Sequence, residues 1–446
     1  MRIFTDVRPG EGRIALLMFF NVLLILCAYY FMKPVREGWI SLEEIKGYSK
    51  MEVKALTNFG QSMVLVLVVW GYGKLVNLYT RSALITRSTL FCMSNLVLFW
   101  LIQPGFLMPH IPYSGILYYL WVGMFGGFMV AQIWAYIADL FVDEQGRRLM
   151  PMIAIGATSG AVIGSWIVSS LTKSGVLASQ DLLLASLVPL LGTIFLSRMA
   201  DDGRWRSLSK PRQDGVKSDK VNHKQAFELL KSHPLLLATT VVTLLFNWVN
   251  TNGENILFHV IVQHAQELMV QQEVVNKSIF LKEFTTTFYG DFFFWVNIFA
   301  LFLQAIVASR LLKFGGFGAI LMLLPVIALS TNIAIGLIPA LAMIKFMKIV
   351  ENATDYSINN TAKHVLWLPL DSETKYKVKP TIDSLFMRFG DGLAAVTAIV
   401  GTQYLALSVT GYCTLNVVLV LIWIGFGFVM IREHRKLTEN VMVKVA

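Results

Sequence analysis

Apolar runs of about twenty residues, separated by short polar turns, recur along this chain from residue 14 to residue 431. A helix of that length matches the roughly 30 Å hydrocarbon core of a bilayer. The pattern predicts about 12 spans, at 14–40, 56–79, 83–103, 115–141, 151–171, 182–200, 235–262, 289–312, 316–335, 338–358, 380–407 and 411–431. Polar residues interrupt it at two matching places. Span one begins near Arg13 and meets Lys33-Pro34-Val35-Arg36-Glu37; span seven begins near Pro234 and meets Asn250-Thr251-Asn252-Gly253-Glu254 after a similar interval. At about 1.5 Å per residue both lie about 30 Å along their helices, toward the outer side. Pro34 removes a backbone donor and disfavours α geometry at Lys33, so the first helix is expected to bend or open there. Corresponding polar breaks in two halves point to a transport site.

Composition agrees with the pattern. Of 446 residues, 55% are hydrophobic and 15% charged, and mean hydropathy is +0.60. That is more apolar surface than one soluble core can hide, so the chain reads as an all-α polytopic membrane protein. The net charge of +10 would suit nucleic acid, but its distribution argues otherwise. Most Lys and Arg fall in alternate loops, among them 198–233 and 363–379. This bias places both termini in the cytoplasm of a multi-pass protein of the inner (plasma) membrane, with no nucleic-acid partner. Cys27, Cys92 and Cys413 lie inside apolar segments and read as small buried hydrophobes. After span one there is no small-residue cleavage site, so that span is expected to remain as a helix.

The basic connection 201–233 has about six spans on each side, an arrangement seen in major facilitator transporters. The expected domains are residues 1–200, a six-helix lobe; 201–233, a cytoplasmic linker; and 234–446, a second six-helix lobe. Gly156, Gly160 and Gly164 recur every four residues in span five, a spacing that lets a neighbouring helix approach closely. Gly123, Gly126 and Gly127 read the same way. The stretch 262–288 reads as a long polar outer loop holding at most a short amphipathic helix.

Candidate chemistry lies in charges embedded in apolar sequence. Each costs roughly 3 kcal/mol near a helix centre. Lys33 and Arg36 would attract anions into a cavity, or else snorkel at the outer interface with Glu37 neutralising Lys33 at the i, i+4 spacing. Span ten carries Lys345, Lys348, Glu351, Asp355 and Asn359 on one helical face. That face must meet other helices or water, as pathway lining or as an ion-pair ladder. Arg388 and Asp391 in span eleven are spaced to pair. In span four, Gln132 and Asp139 are embedded in apolar sequence, and the charged connection 143–148, with Arg147 and Arg148, reads as a gating lock or an ordinary turn. There is no phosphate loop, no metal-spaced histidine pair and no nucleophile elbow, so neither an enzyme nor a metal or cofactor is expected.

Several ordered blocks resemble the ATP:ADP antiporters, or nucleotide transporters, of plastids and obligate intracellular bacteria. They are Tyr29-Tyr30-Phe31-Met32-Lys33-Pro34-Val35-Arg36-Glu37, the run from Leu303-Gln304 to Ser309-Arg310-Leu311, Lys363-His364-Val365-Leu366-Trp367-Leu368-Pro369-Leu370, Lys379-Pro380-Thr381-Ile382-Asp383, and Arg388-Phe389-Gly390-Asp391. The resemblance, closer to the bacterial branch, implies a major-facilitator-like carrier exchanging nucleotides. It assigns phosphate neutralisation to Lys33, Arg36 and Lys363 and an acidic role to Glu254. Gln132 stands where that family has a carboxylate, which weakens the implication of strict ATP/ADP exchange. Taken with the residue reading, the substrate-binding set is Lys33, Arg36, Glu37, Gln132, Asn252, Glu254, Lys348, Glu351 and Lys363. The expected function is secondary transport of nucleotides, or a related phosphate-bearing anion, by alternating access. A proton-coupled organic-anion carrier using Glu254 or Asp139, and a non-transporting scaffold or sensor, are the rivals.

Overall fold

A computed structural model describes residue 8 and residues 11–75, 81–104, 111–141, 143–201, 230, 233–370 and 372–445. The 201–233 connection lies almost wholly outside the described residues, as does the side chain of Arg147. Regular structure among the described residues is helical: α1 Gly12–Ile40, α2 Lys50–Leu75, α3 Arg81–Ile102, α4 Ser114–Leu140, α5 Asp143–Lys173, α6 Asp181–Ala185, α7 Leu187–Asp201, α8 Pro234–Gln271 and α9 Lys277–Phe302. There follow α10 Ala308–Leu337, α11 Leu341–Thr354, α12 Asn360–Leu366, α13 Ser372–Thr381, α14 Met387–Gln403 and α15 Val409–Val445, with π turns at Leu303–Val307, Asp355–Asn359 and Ile382–Phe386. Among the described residues, each expected span is formed mainly by helix, and eight helices are long and apolar enough to cross a membrane, so the chain is an all-α, multi-pass membrane protein. The eighth and ninth spans part at Gly316, whose φ of 67° lies in the left-handed region that glycine adopts without penalty.

Three expectations about the backbone are corrected. Helix α1 does not open at Pro34 and continues to Ile40, and α8 runs unbroken through 250–254. A proline removes one hydrogen bond, and packing along the rest of the helix holds it together. The polar positions therefore sit on continuous helices. The 262–288 stretch is no long loop: α8 continues to Gln271 and α9 begins at Lys277, because Val262, Ala265, Met269 and Leu281 keep an apolar face that is buried. Residues 143–148 open helix α5 and are not a loop.

Contacts divide the chain into two compact units. The first comprises Met1–Ile45, Met63–Asp214 and Ala265–Asn297. At its centre is α1, whose Ala15, Met18, Val22, Ile25, Ala28 and Met32 recur every three or four residues and are fully buried. Helix α5 lies directly against it. A Cβ on Gly156 would sit 2.5 Å from the Phe19 carbonyl oxygen, one on Gly160 2.1 Å from that of Leu23, and one on Gly164 2.7 Å from that of Cys27. The small-residue stripe thus allows backbone-to-backbone approach. Gly126 similarly admits the Tyr29 ring. Buried Glu43 caps the distant start of α4, accepting from the amides of Tyr113 (2.9 Å) and Gly115 (2.6 Å).

Just outside the membrane segment of α1, Glu11 accepts two hydrogen bonds from Arg148, at 2.9 and 3.2 Å, and one from the Arg8 amide at 3.1 Å. Burial opposes its ionisation, but these donors outweigh burial and hold the carboxyl below its ordinary value of 4.5. A depressed carboxylate stabilises the fold above its unfolded pKa and loses that contribution as pH falls through the folded one. Thermal melts from pH 7 to pH 3 should therefore show a loss of stability below pH 4.5 that is smaller in Glu11→Gln; parallel curves for the two proteins would refute it.

The second unit comprises Lys46–Ser62, Gly215–His264 and Ile298–Ala446. Its core joins Leu245, Phe246 and Val249 of α8 to Leu324 and Ala328 of α10 and to Val420 and Trp423 of α15.

Candidate functional site

In the second unit, α8 and α11 present their polar faces to one cluster. The Lys348 ammonium, 1% exposed, lies 3.2 Å from Glu351 Oε1 and 3.7 Å from Glu254 Oε1, and donates to Asn250 Oδ1 at 3.4 Å. Gly253 makes this possible, since a Cβ there would meet Lys348 Nζ at 2.8 Å. Asn352 Nδ2 donates to Glu254 Oε1 at 2.8 Å. A second buried cation, Lys54, donates to the Glu254 carbonyl at 3.4 Å and lies 4.5 Å from the Phe258 ring centroid. Two carboxylates and two ammoniums thus share a buried region. Such charges persist in a membrane protein when they face one another or a pathway. Next to them an amide chain runs from Asn252 to Asn416 to Asn332, each step 3.0 Å.

Lys54 was missed by sequence reasoning, because the second apolar window begins at residue 56 and a lysine two residues earlier reads as a boundary charge. Its burial is set by α8. The three π turns were also illegible; one of them, Asp355–Asn359, directly follows α11 and shifts Asp355 and Asn359 off the ideal stripe.

In the first unit, Arg36 and Glu37 are both buried and form a pair of 2.5 Å, with Arg36 Nε donating to the same oxygen at 3.1 Å. The guanidinium also lies 4.1 Å from the Tyr119 ring centroid. Lys33 Nζ stands 4.0 Å from the Phe293 ring centroid and 5.3 Å from that of Tyr30, contacts in which an ammonium is held by ring faces. Tyr30 donates to Asn297 Oδ1 at 3.1 Å. Gln132 is buried and donates to Ser88 Oγ at 3.2 Å. Asp139 is exposed near the end of α4.

Asp391, in the second unit, accepts from Ser62 (2.5 Å), Asn247 (2.8 Å) and Thr251 (3.0 Å). Arg388 Nη1 donates to Ser62 Oγ at 3.1 Å and lies 3.5 Å from Asp391 Oδ2. Lys363 is 3.8 Å from Asp355 Oδ1 and 4.6 Å from the Phe246 ring centroid. It lines a cavity of about 140 Å³, with His364, Lys379, Asp383, Trp367 and Trp423 also on its wall. Beyond the end of span ten, His364 is held below the ordinary histidine value, first by burial and then by the ammonium of Lys379, with Asp383 acting in the opposite direction. Among the described residues, no group of three or more His, Cys, Asp or Glu could hold a metal ion.

No family model matches the chain. It is similar to the ADP,ATP carrier protein 1 of Chlamydia pneumoniae, at 21% identity over 338 residues, 65% of this chain and 62% of that protein. It is also similar to the ADP,ATP carrier protein 1 of Chlamydia trachomatis, at 26% identity over 28% of this chain and 29% of that one. The chain therefore spans less than two thirds of the length of these relatives. Among solved structures it resembles an auto-inhibited POT family peptide transporter (10% identity, 95% of this chain and 97% of the other, TM-score 0.63). It also resembles the nucleoside transporter NupG (12%, 96% and 99%, 0.56) and a D-xylose-proton symporter (13%, 93% and 97%, 0.58). These likenesses establish the fold. All five are carriers or transporters by name, and none is an enzyme.

Proposed function

We propose that this chain, similar in sequence to ADP,ATP carrier proteins and in fold to solute transporters, is a secondary active transporter of a phosphate-bearing anion, a nucleotide in the first instance. The observation that carries this reading is the buried cluster of Lys348 with Glu254 and Glu351. In an apolar helix, ionised groups persist where they hold or relay charge. The two carboxylates neutralise Lys348 while no anion is present, and an arriving phosphate competes with them for the ammonium. Lys363 and Arg36 add cations that neutralise further phosphate charge. Arg36 gives up part of its bond to Glu37 when it does so. Rocking of the predicted halves, 1–200 and 234–446, gives alternating access, and loop charge places both termini in the cytoplasm.

Uptake of labelled ATP into proteoliposomes tests the reading. Stimulation by internal ADP is expected, and both Arg36→Ala and Lys363→Ala should reduce uptake to background while leaving the protein membrane-inserted. Normal uptake in both variants sinks the site assignment. Dependence on a pH gradient in place of internal ADP would favour proton coupling. No flux of any nucleotide removes the reading.

A further inference from the structure

The cavity beside Lys363 combines cations with an aromatic wall. Lys363, Lys379 and His364 line it together with Asp383, and the indoles of Trp367 and Trp423 are buried around it. The contact of Lys363 with Asp355 is 3.8 Å long, and the lysine side chain is 45% exposed, so water weakens the pair and an entering anion displaces Asp355 readily. At about 140 Å³ the cavity is smaller than the roughly 300–1,000 Å³ that encloses a drug-sized ligand. It suits a phosphate group with part of what the phosphate carries.

We propose that this cavity is a phosphate site in which Lys363 and Lys379 hold the anion and His364 takes up a proton as a phosphate dianion enters. The inference rests on the reading of the substrate as phosphate-bearing, and not on transport. Lys363 and His364 belong to α12, and Lys379 to α13; Asp383 lies in the π turn that follows, and Asp355 pairs with Lys363 from the turn before α12. From the other elements on the wall, Thr239, Thr243, Phe246, Leu321, Trp423 and Met430 bring no titratable group. The charges that act on the imidazole are the ammoniums of Lys379 and Lys363 against the carboxylate of Asp383. In the empty cavity, partial burial and the Lys379 ammonium disfavour the charged form of His364. A dianion offsets the ammoniums and attracts the imidazolium, so the bound state holds its proton to higher pH. By linkage, the protonated histidine strengthens binding at low pH, and this gain is lost as pH rises through the bound-state pKa.

Calorimetric binding of ADP, and separately of inorganic phosphate, to the purified full chain between pH 5.5 and 8.5 tests this. Phosphate itself titrates in this range, so the quantity read is the ratio of Kd between wild type and His364→Asn, in which ligand ionisation cancels. The ratio should change by up to about tenfold per pH unit, with wild type favoured at the acid end. Lys379→Gln should weaken both probes and move the transition to higher pH. Parallel pH profiles for wild type and His364→Asn, undiminished binding in Lys379→Gln, or no binding of either probe overturns the proposal. His364→Gln serves as a second neutral substitution, and melting without ligand confirms that each variant is folded. ADP uptake with no histidine-dependent slope sinks this site and leaves transport standing; histidine-dependent binding without uptake does the reverse.

Discussion

Lys348→Met should be among the most damaging single changes in this protein, costing about 3–5 kcal/mol, the range for removing one partner of a buried ion pair. The lysine is 1% exposed, and its removal leaves Glu351, 6% exposed, and Glu254, 22% exposed, facing each other without their shared ammonium. Desolvated charge with no counter-ion accounts for the penalty, and the loss of packing does not, because methionine replaces most of the aliphatic stem. The double variant Lys348→Met, Glu351→Gln should recover most of the loss, since replacing both partners of a buried pair is often neutral. Detergent thermal melts of the single and double variants decide it. A single variant as stable as wild type would show that the cluster is hydrated and not closed. A double variant no better than the single one would place the cost in packing. On the proposed function, nucleotide uptake should be lost in both, because neither retains a cation at this position.

Gly160→Val is the second large effect. Its Cβ would lie 2.1 Å from the carbonyl oxygen of Leu23 on α1, and the atom in the way is backbone, which no rotamer change can move. Helices α1 and α5 would have to separate along the whole stripe, losing the contacts at Gly156 and Gly164 as well. Overpacking typically costs about 1–3 kcal/mol, and an obstacle made of main chain on both sides belongs at or above the top of that range. Gly425→Ala in α15 is the control, because nothing lies within 4 Å of a Cβ there; it should be neutral or slightly stabilising. Melting temperature and the fraction of monodisperse protein after extraction read the difference. Equal values for the two variants would mean that α1 and α5 do not pack as closely as described.

Much of this architecture is legible from hydropathy because a bilayer demands it. Every backbone polar group in the hydrocarbon must be bonded within its own helix, so span length and position follow from apolar run length. The close approach of α5 to its neighbour could be read from Gly156, Gly160 and Gly164 for a similarly local reason. The polar breaks were over-read. Pro34 and the run from Asn250 to Glu254 look like interruptions in one dimension, yet the helices continue, since a proline removes one hydrogen bond and packing along the rest of the helix holds it together. The outer stretch 262–288 is helical for a related reason: its apolar positions are sparse in sequence, yet Val262, Ala265, Met269 and Leu281 are buried in packing.

Which charges meet is the part that needed three dimensions. The stripe Lys348, Glu351 and Asp355 was visible as helical spacing, and Glu254 was visible as a charge in an apolar run. That Glu254 and Lys348 come within 3.7 Å depends on Gly253 leaving room for an ammonium, and that Lys54 joins them depends on where α2 begins. Pairing with a partner about a hundred residues away leaves no local periodicity to detect. The membrane class, the positions of the spans and the candidate charges other than Lys54 are properties of local composition, and the chain alone was enough to find them. The cluster, the contact of Arg36 with the Tyr119 ring and the cavity beside Lys363 arise only when distant helices pack, because electrostatic energy depends on separation in space and not on separation along the chain.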